Sequence, residues 1–292
     1  MKDFRVLQAA NKRKTVLLLG LMASLTAVVV YAAALYSGSV SVSIVPIAIG
    51  ISIVGVWGSY YGSDKLVLTM TGARVINHDD APQLFNLVNE LTVAAVRPMP
   101  KVAIVEDAAP NAFATGRDPE HAVIAFTTGI LQVMDRDQLQ GVAAHELAHV
   151  ANRDTLVSAV AATTAGAIAL LSDLVLRITF FTGGNRRDSE GNNSNPLVLV
   201  AAILALILAP IAATLLKAAV SRKREALADA TAVEFTRNPT GLRRALEELA
   251  RDNTVVEQKS NAVAHIWIES PLDASAASKL FATHPPIEER IA

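Results

Sequence analysis

The chain has 292 residues, of which 52% are hydrophobic and only 18% charged, and its net charge is −1. So balanced a charge gives no global field that would favour nucleic acid or acidic substrates. With no cysteine there can be no disulfide, thiolate metal ligand or thiol nucleophile, so any metal must be held by histidines and carboxylates.

The shortage of charge is local. No Asp, Glu, Lys, Arg or His occurs in the 49 residues from Thr15 to Ser63, whereas a membrane-spanning helix needs roughly 20. The run predicts two spans, Thr15–Tyr36 and Val40–Tyr61, joined by a turn at Ser37, Gly38 and Ser39. A cleaved signal peptide fits less well, because the first apolar run is too long and a second follows almost at once. A third span is expected at Leu156–Leu176 and a fourth at Pro196–Leu216, with Pro210 as a tolerated kink.

The basic residues set the orientation. The N-terminal arm carries Lys2, Arg5, Lys12, Arg13 and Lys14, and the fourth span is followed by Lys217, Arg222, Lys223 and Arg224. The first hairpin turn has no charge, and in the second Arg186 and Arg187 are matched by Asp188 and Glu190. Both termini and the segment between the hairpins are therefore expected on the cytoplasmic side. Asp173 and Arg177, four apart beside the third span, read as a mutually paired couple more readily than as a transport path.

The expected organisation is an arm at 1–14, a first hairpin at 15–61, one part of a catalytic domain at 62–155, a second hairpin at 156–216, and the other part at 217–292. Between the hairpins, Pro82–Val96 has helical periodicity, while Lys101–Glu106 and His121–Phe126 read as buried strands. Asp137–Asn152 is expected to be a helix, with Asp137 and Gln140 spaced like a capping box. Beyond the second hairpin, Arg222–Thr236 and Gly241–Arg251 are expected to be helical. Gly183–Pro196, polar and rich in Gly and Asn, suits an exposed loop.

The chemistry concentrates at His145-Glu146-Leu147-Ala148-His149. On a helix, histidines four apart project from one face and can hold one Zn²⁺, with Glu146 within reach of the water that such a metal polarises. A chain of this composition would produce the pattern by chance only roughly 0.005 times. A catalytic zinc site takes three protein ligands and leaves one position open. Glu225, which shares a helix face with Asp229, is a candidate for the third. Spacing alone leaves it balanced between that role and a charged helix face leaving the membrane.

The order PNAFATG (110–116), HELAH (145–149), SRKREALAD (221–229) and THPPIEERI (283–291), set around two apolar hairpins, resembles the HtpX-type membrane zinc metallopeptidases along nearly the whole chain. One departure is Ala226, where that family usually has an aromatic residue. With Ile291 so near the last residue, the final helix is expected to be short.

The resemblance implies an α+β membrane protein with four transmembrane helices and a mainly helical zincin-like domain carrying a small sheet. It implies one Zn²⁺ held by His145, His149 and Glu225, with Glu146 as general base and Asp229 orienting a ligand histidine through its second nitrogen. Asn111–Ala114 looks like the edge strand that aligns substrate by backbone pairing, with Asn111 adding a polar contact; on residues alone it is a turn followed by a strand. His284, stiffened by Pro285 and Pro286, corresponds to a histidine near the zinc. His78, His121 and His265 match nothing. The partners implied are polypeptide substrates, membrane proteins among them, and the bilayer of a bacterial inner membrane, in quality control and the stress response. The rival readings are a non-catalytic zinc-containing scaffold, against which an intact Glu146 argues, and a transporter, which the charge-free first spans disfavour.

Overall fold

The computed structural model describes residues 13–17, 19–21, 23–24, 44–160, 222–252, 254, 256, 266–268 and 290. Most of the first and third expected spans, all of the fourth, the loop at 183–196, the Asp173–Arg177 pair, His265 and His284 lie outside the described residues. Among the described residues no helix is long and apolar enough to cross a membrane.

Helix α1, Ile44–Thr71, is followed by strand β1, Arg74–Ile76, and helix α2, Pro82–Ala95. Strands β2 (Lys101–Val105), β3 (Ala112–Thr115) and β4 (Val123–Thr127) come next, then the short helix α3, Thr128–Val133, and helix α4, Arg136–Ala151. Helices α5, Arg222–Thr236, and α6, Pro239–Arg251, follow among the described residues. The result is a mostly helical α+β unit around one small mixed sheet.

The sheet runs β1-β2-β4-β3. Strand β2 pairs with β4 in parallel, while β1 and β3 are antiparallel to their neighbours. Side chains alternate across it, as period two requires. Val102, Ile124, Phe126, Ala112 and Ala114 face a core shared with α2, α4 and α6. Ala103, Val105, Val123, Ala125 and Phe113 face a second core that includes Val67 of α1 and Trp267. Both faces are covered, so the two central strands read as unbroken apolar runs rather than an alternating pattern.

Three boundaries differ from expectation. Helix α1 does not stop at Tyr61 but continues ten residues further, to Thr71. Asp64 and Lys65 lower the local hydropathy without breaking the helix, and Val67 beyond them is completely buried against the sheet. The capping box of α4 lies two residues earlier than expected: Asp135 is the N-cap, its carboxylate accepting from the Gln138 amide, and the Gln138 side chain accepts in return from the Asp135 amide. Asp135 has extended backbone angles, as an N-cap must, whereas Asp137 is already inside the first turn. Helix α6 begins at Pro239 rather than Gly241, with Asn238 as its N-cap; proline at the first helical position costs no hydrogen bond.

Helix α4 is buried almost all round, from Gln138 to Ala151, and packs against α5, α6, α2 and β3. Glycines permit the closest of these approaches. A β-carbon on Gly141 would meet the Leu242 backbone nitrogen at 2.5 Å, and one on Gly241 would meet the Asp137 carbonyl oxygen at 2.6 Å. The helix carrying the two histidines is therefore held in the centre of the fold with little room to shift.

Candidate metal centre

His145 and His149, one turn apart on α4, point their Nε2 atoms at one place, 3.1 Å from each other. Glu225 enters from α5, its Oε2 lying 3.6 Å from both of those nitrogens. All three residues offer an atom to a single cluster in which no two atoms are more than 4.8 Å apart. His145 is fully buried and Glu225 only 4% exposed. Two imidazole nitrogens and a carboxylate oxygen facing one another could hold a cation, and an all-N/O donor set with two histidines suits zinc.

The second nitrogen of each histidine meets a carboxylate. His145 Nδ1 lies 2.8 Å from Asp229 Oδ1. An ionised carboxylate only accepts, so Nδ1 carries the proton and Nε2 keeps its lone pair for the cluster. Burial opposes the charge on Asp229, but the His145 N–H and the Arg290 guanidinium outweigh it and hold the carboxyl well below its usual range. His149 Nδ1 lies 3.2 Å from Asp154 Oδ2. Burial likewise works against an imidazolium at His149, yet Glu225 and Asp154 prevail and raise its pKa well above the ordinary value.

Asp154 has no counterpart in the sequence reading. Helix α4 stops at Ala151, Arg153 takes a left-handed conformation at φ 58°, and the chain becomes helical again over 154–160. This break brings Asp154 back beneath His149. Arg224, buried beside Glu225 in sequence, lies 3.8 Å from Asp154 through its Nη1. A step of five residues from His149 matches no helical face, so the sequence carried no local signal for Asp154.

Of the other expected site residues, Glu146 is buried on α4 at 2% exposure, next to the two histidines in the chain. Asn111 is buried immediately before β3, its Oδ1 accepting from the Ala112 amide at 3.0 Å. Its carbonyl accepts from the Thr127 amide of β4 at 2.9 Å, so by strand alternation the next carbonyl, of Ala112, points away from the sheet. That carbonyl accepts from the Ile268 amide at 2.9 Å. Strand β3 is thus the last strand of the sheet, with its outer side covered by residues 266–268. Trp267 stacks edge-on against Phe113, centroids 4.8 Å apart. His78 and His121 are exposed and lie beside Asp79 and Asp118, respectively, away from the cluster.

The sequence model described as "Peptidase family M48" matches residues 78–292. A "Protease HtpX homolog" of Syntrophobacter fumaroxidans is 45% identical over 273 residues, covering 93% of this chain and 95% of the relative. Another, from Streptococcus gordonii, is 41% identical over 285 residues, covering 97% and 96%. The crystal structure of S. mikatae Ste24p is similar with a TM-score of 0.47 and 17% identity, and this chain spans 56% of that protein's length. The chain belongs to peptidase family M48, among its HtpX-type metalloproteases.

Proposed function

We propose that the chain is a membrane-embedded zinc endopeptidase, with His145, His149 and Glu225 as the metal ligands and Glu146 as the general base. The observation that carries this reading is the convergence of His145 Nε2, His149 Nε2 and Glu225 Oε2 from two helices on one buried point. Zinc bound there would supply Lewis-acid polarisation of the scissile carbonyl and of a water molecule. Glu146 takes a proton from the attacking water and gives it to the leaving amine. Asp229 and Asp154 keep the two imidazoles in the tautomer that binds metal. Substrate lies along β3, where it takes the place that the Ile268 amide holds on the Ala112 carbonyl, with Asn111 and His284 positioning the reacting carbonyl. The direct test incubates purified protein with an unfolded polypeptide. Cleavage should stop on chelation and return with added zinc; cleavage indifferent to both would sink the assignment.

The substrates fitting this arrangement are membrane proteins, cut at the cytoplasmic face in quality control. Supporting the membrane reading are the charge-free run from Thr15 to Ser63 and the outward-facing apolar side chains of α1, with Val54 72% and Trp57 63% exposed. Helix α1 runs unbroken from Ile44 to Thr71, so it joins the second expected span directly to the core beneath the sheet. Four spans place both termini and the two catalytic segments, 62–155 and 217–292, in the cytoplasm. Single cysteines report this without background. Ser39→Cys and Ser194→Cys should react with an impermeant thiol reagent on intact cells, whereas Asp79→Cys, on a fully exposed side chain, should react only after permeabilisation. Labelling of Asp79→Cys from outside would reverse the orientation.

A further inference from the structure

We propose that Arg290 is a positioning residue for the metal centre, acting on His145 through Asp229. The inference rests on the reading of His145, His149 and Glu225 as metal ligands. The Arg290 side chain is only 2% exposed. Its Nη2 donates to Asp229 Oδ1 at 2.7 Å, and its Nε donates to Oδ2 at 3.1 Å. Two roughly parallel N–H···O bonds lock a carboxylate in both position and rotation, which a single contact does not.

The locked oxygen is also the one facing His145. Oδ1 of Asp229 lies 2.8 Å from His145 Nδ1, and its two lone pairs serve the imidazole and the guanidinium together. Arg290 Nη2 lies a further 3.4 Å from His145 Nδ1, so the guanidinium also walls in the imidazole ring. Unclamped, the Asp229 carboxylate, whose side chain is 21% exposed, is free to turn toward water. His145 then loses the partner that sets its tautomer and ring angle.

The other histidine shows what the clamp adds. His149 also meets an aspartate, Asp154, backed by an arginine, Arg224, but there the guanidinium stands off at 3.8 Å. Nε and Nη1 of Arg224 are buried without a hydrogen bond. The two histidines thus share a plan, Arg–Asp–His, in which the guanidinium grips both oxygens of Asp229 and stands off from Asp154. Precise presentation of the metal site therefore depends on Arg290, which is not itself one of the three proposed ligands.

The test measures zinc affinity by competition with a chromophoric chelator. It uses the full-length chain in detergent, in a Glu146→Gln background that prevents self-cleavage. Arg290→Met should weaken zinc binding by about 10–100-fold, the usual cost of losing a group that orients a ligand. Arg290→Lys, which keeps the charge and one contact, should recover part of the loss. Thermal unfolding of the zinc-free proteins separates this from a merely structural role, which lowers the melting temperature but leaves the affinity of the folded fraction intact. Zinc affinity within twofold of the parent in either variant, or a Lys variant no better than Met, overturns the proposal. If Arg290→Met fails to fold, the Lys variant alone decides, a loss of affinity in folded protein supporting the clamp. A parent that binds no zinc overturns the metal-site reading and this inference together; a parent that binds while the variants match it overturns this inference alone.

Discussion

Glu146→Gln is expected to lower peptide hydrolysis by about 10²–10⁴-fold, the range associated with loss of a positioned general base, while the protein keeps its zinc. The amide is nearly the same size as the carboxylate, so the buried site on α4 can accept it with little repacking. It cannot accept a proton from water at neutral pH. The proposed metal ligands are untouched, since the cluster is formed by His145, His149 and Glu225. Turnover of an unfolded substrate and metal content of the same preparation decide the matter. Full activity would remove Glu146 from the mechanism, and loss of zinc in step with activity would recast it as a ligand or a structural group.

Glu225→Ala should have an equally large effect by a different route, through loss of the metal itself. Groups that only orient a ligand cost about 10–100-fold in metal affinity when removed. A direct ligand should cost more, because three protein ligands are the usual minimum for a catalytic zinc site. The alanine also leaves His145 and His149, 3.1 Å apart at Nε2, without the carboxylate that offsets a cation between them. Chelator competition on the purified variant should show zinc affinity falling by more than a hundredfold relative to the parent, beyond the range expected for an orienting residue. Parent-like affinity would mean that the third ligand is another residue.

The contrast between these residues and Arg290 shows what a linear sequence displays and what it hides. His145 and His149 were legible because both lie on one helix, where a spacing of four fixes a common face. Glu225 and Asp229 were legible for the same reason, although joining the two helices required the family resemblance. Strands β2 and β4 were legible because a sheet covered on both faces leaves continuous apolar runs. Arg290 meets Asp229 across 61 residues, and no local period links them. Asp154 depends on a left-handed residue, Arg153, whose conformation has no sequence signature of the kind a glycine gives. Hydropathy marks the end of an expected span at Tyr61 but not the end of its helix, because packing of Val67 beneath the sheet carries α1 onward to Thr71.

The division of the metal centre between α4 and α5 has a consequence for the timing of biosynthesis. A nascent chain that has emerged only through α4 and the residues after it contains His145, Glu146, His149 and Asp154. It lacks Glu225, Asp229 and Arg290, all of which are translated later. Such a chain has the two imidazoles but not Glu225, the proposed third ligand, and the face of α4 that packs on α5 and α6 is still uncovered. On the proposed ligand set, hydrolytic competence arrives only after the later helices have been translated and have docked onto α4.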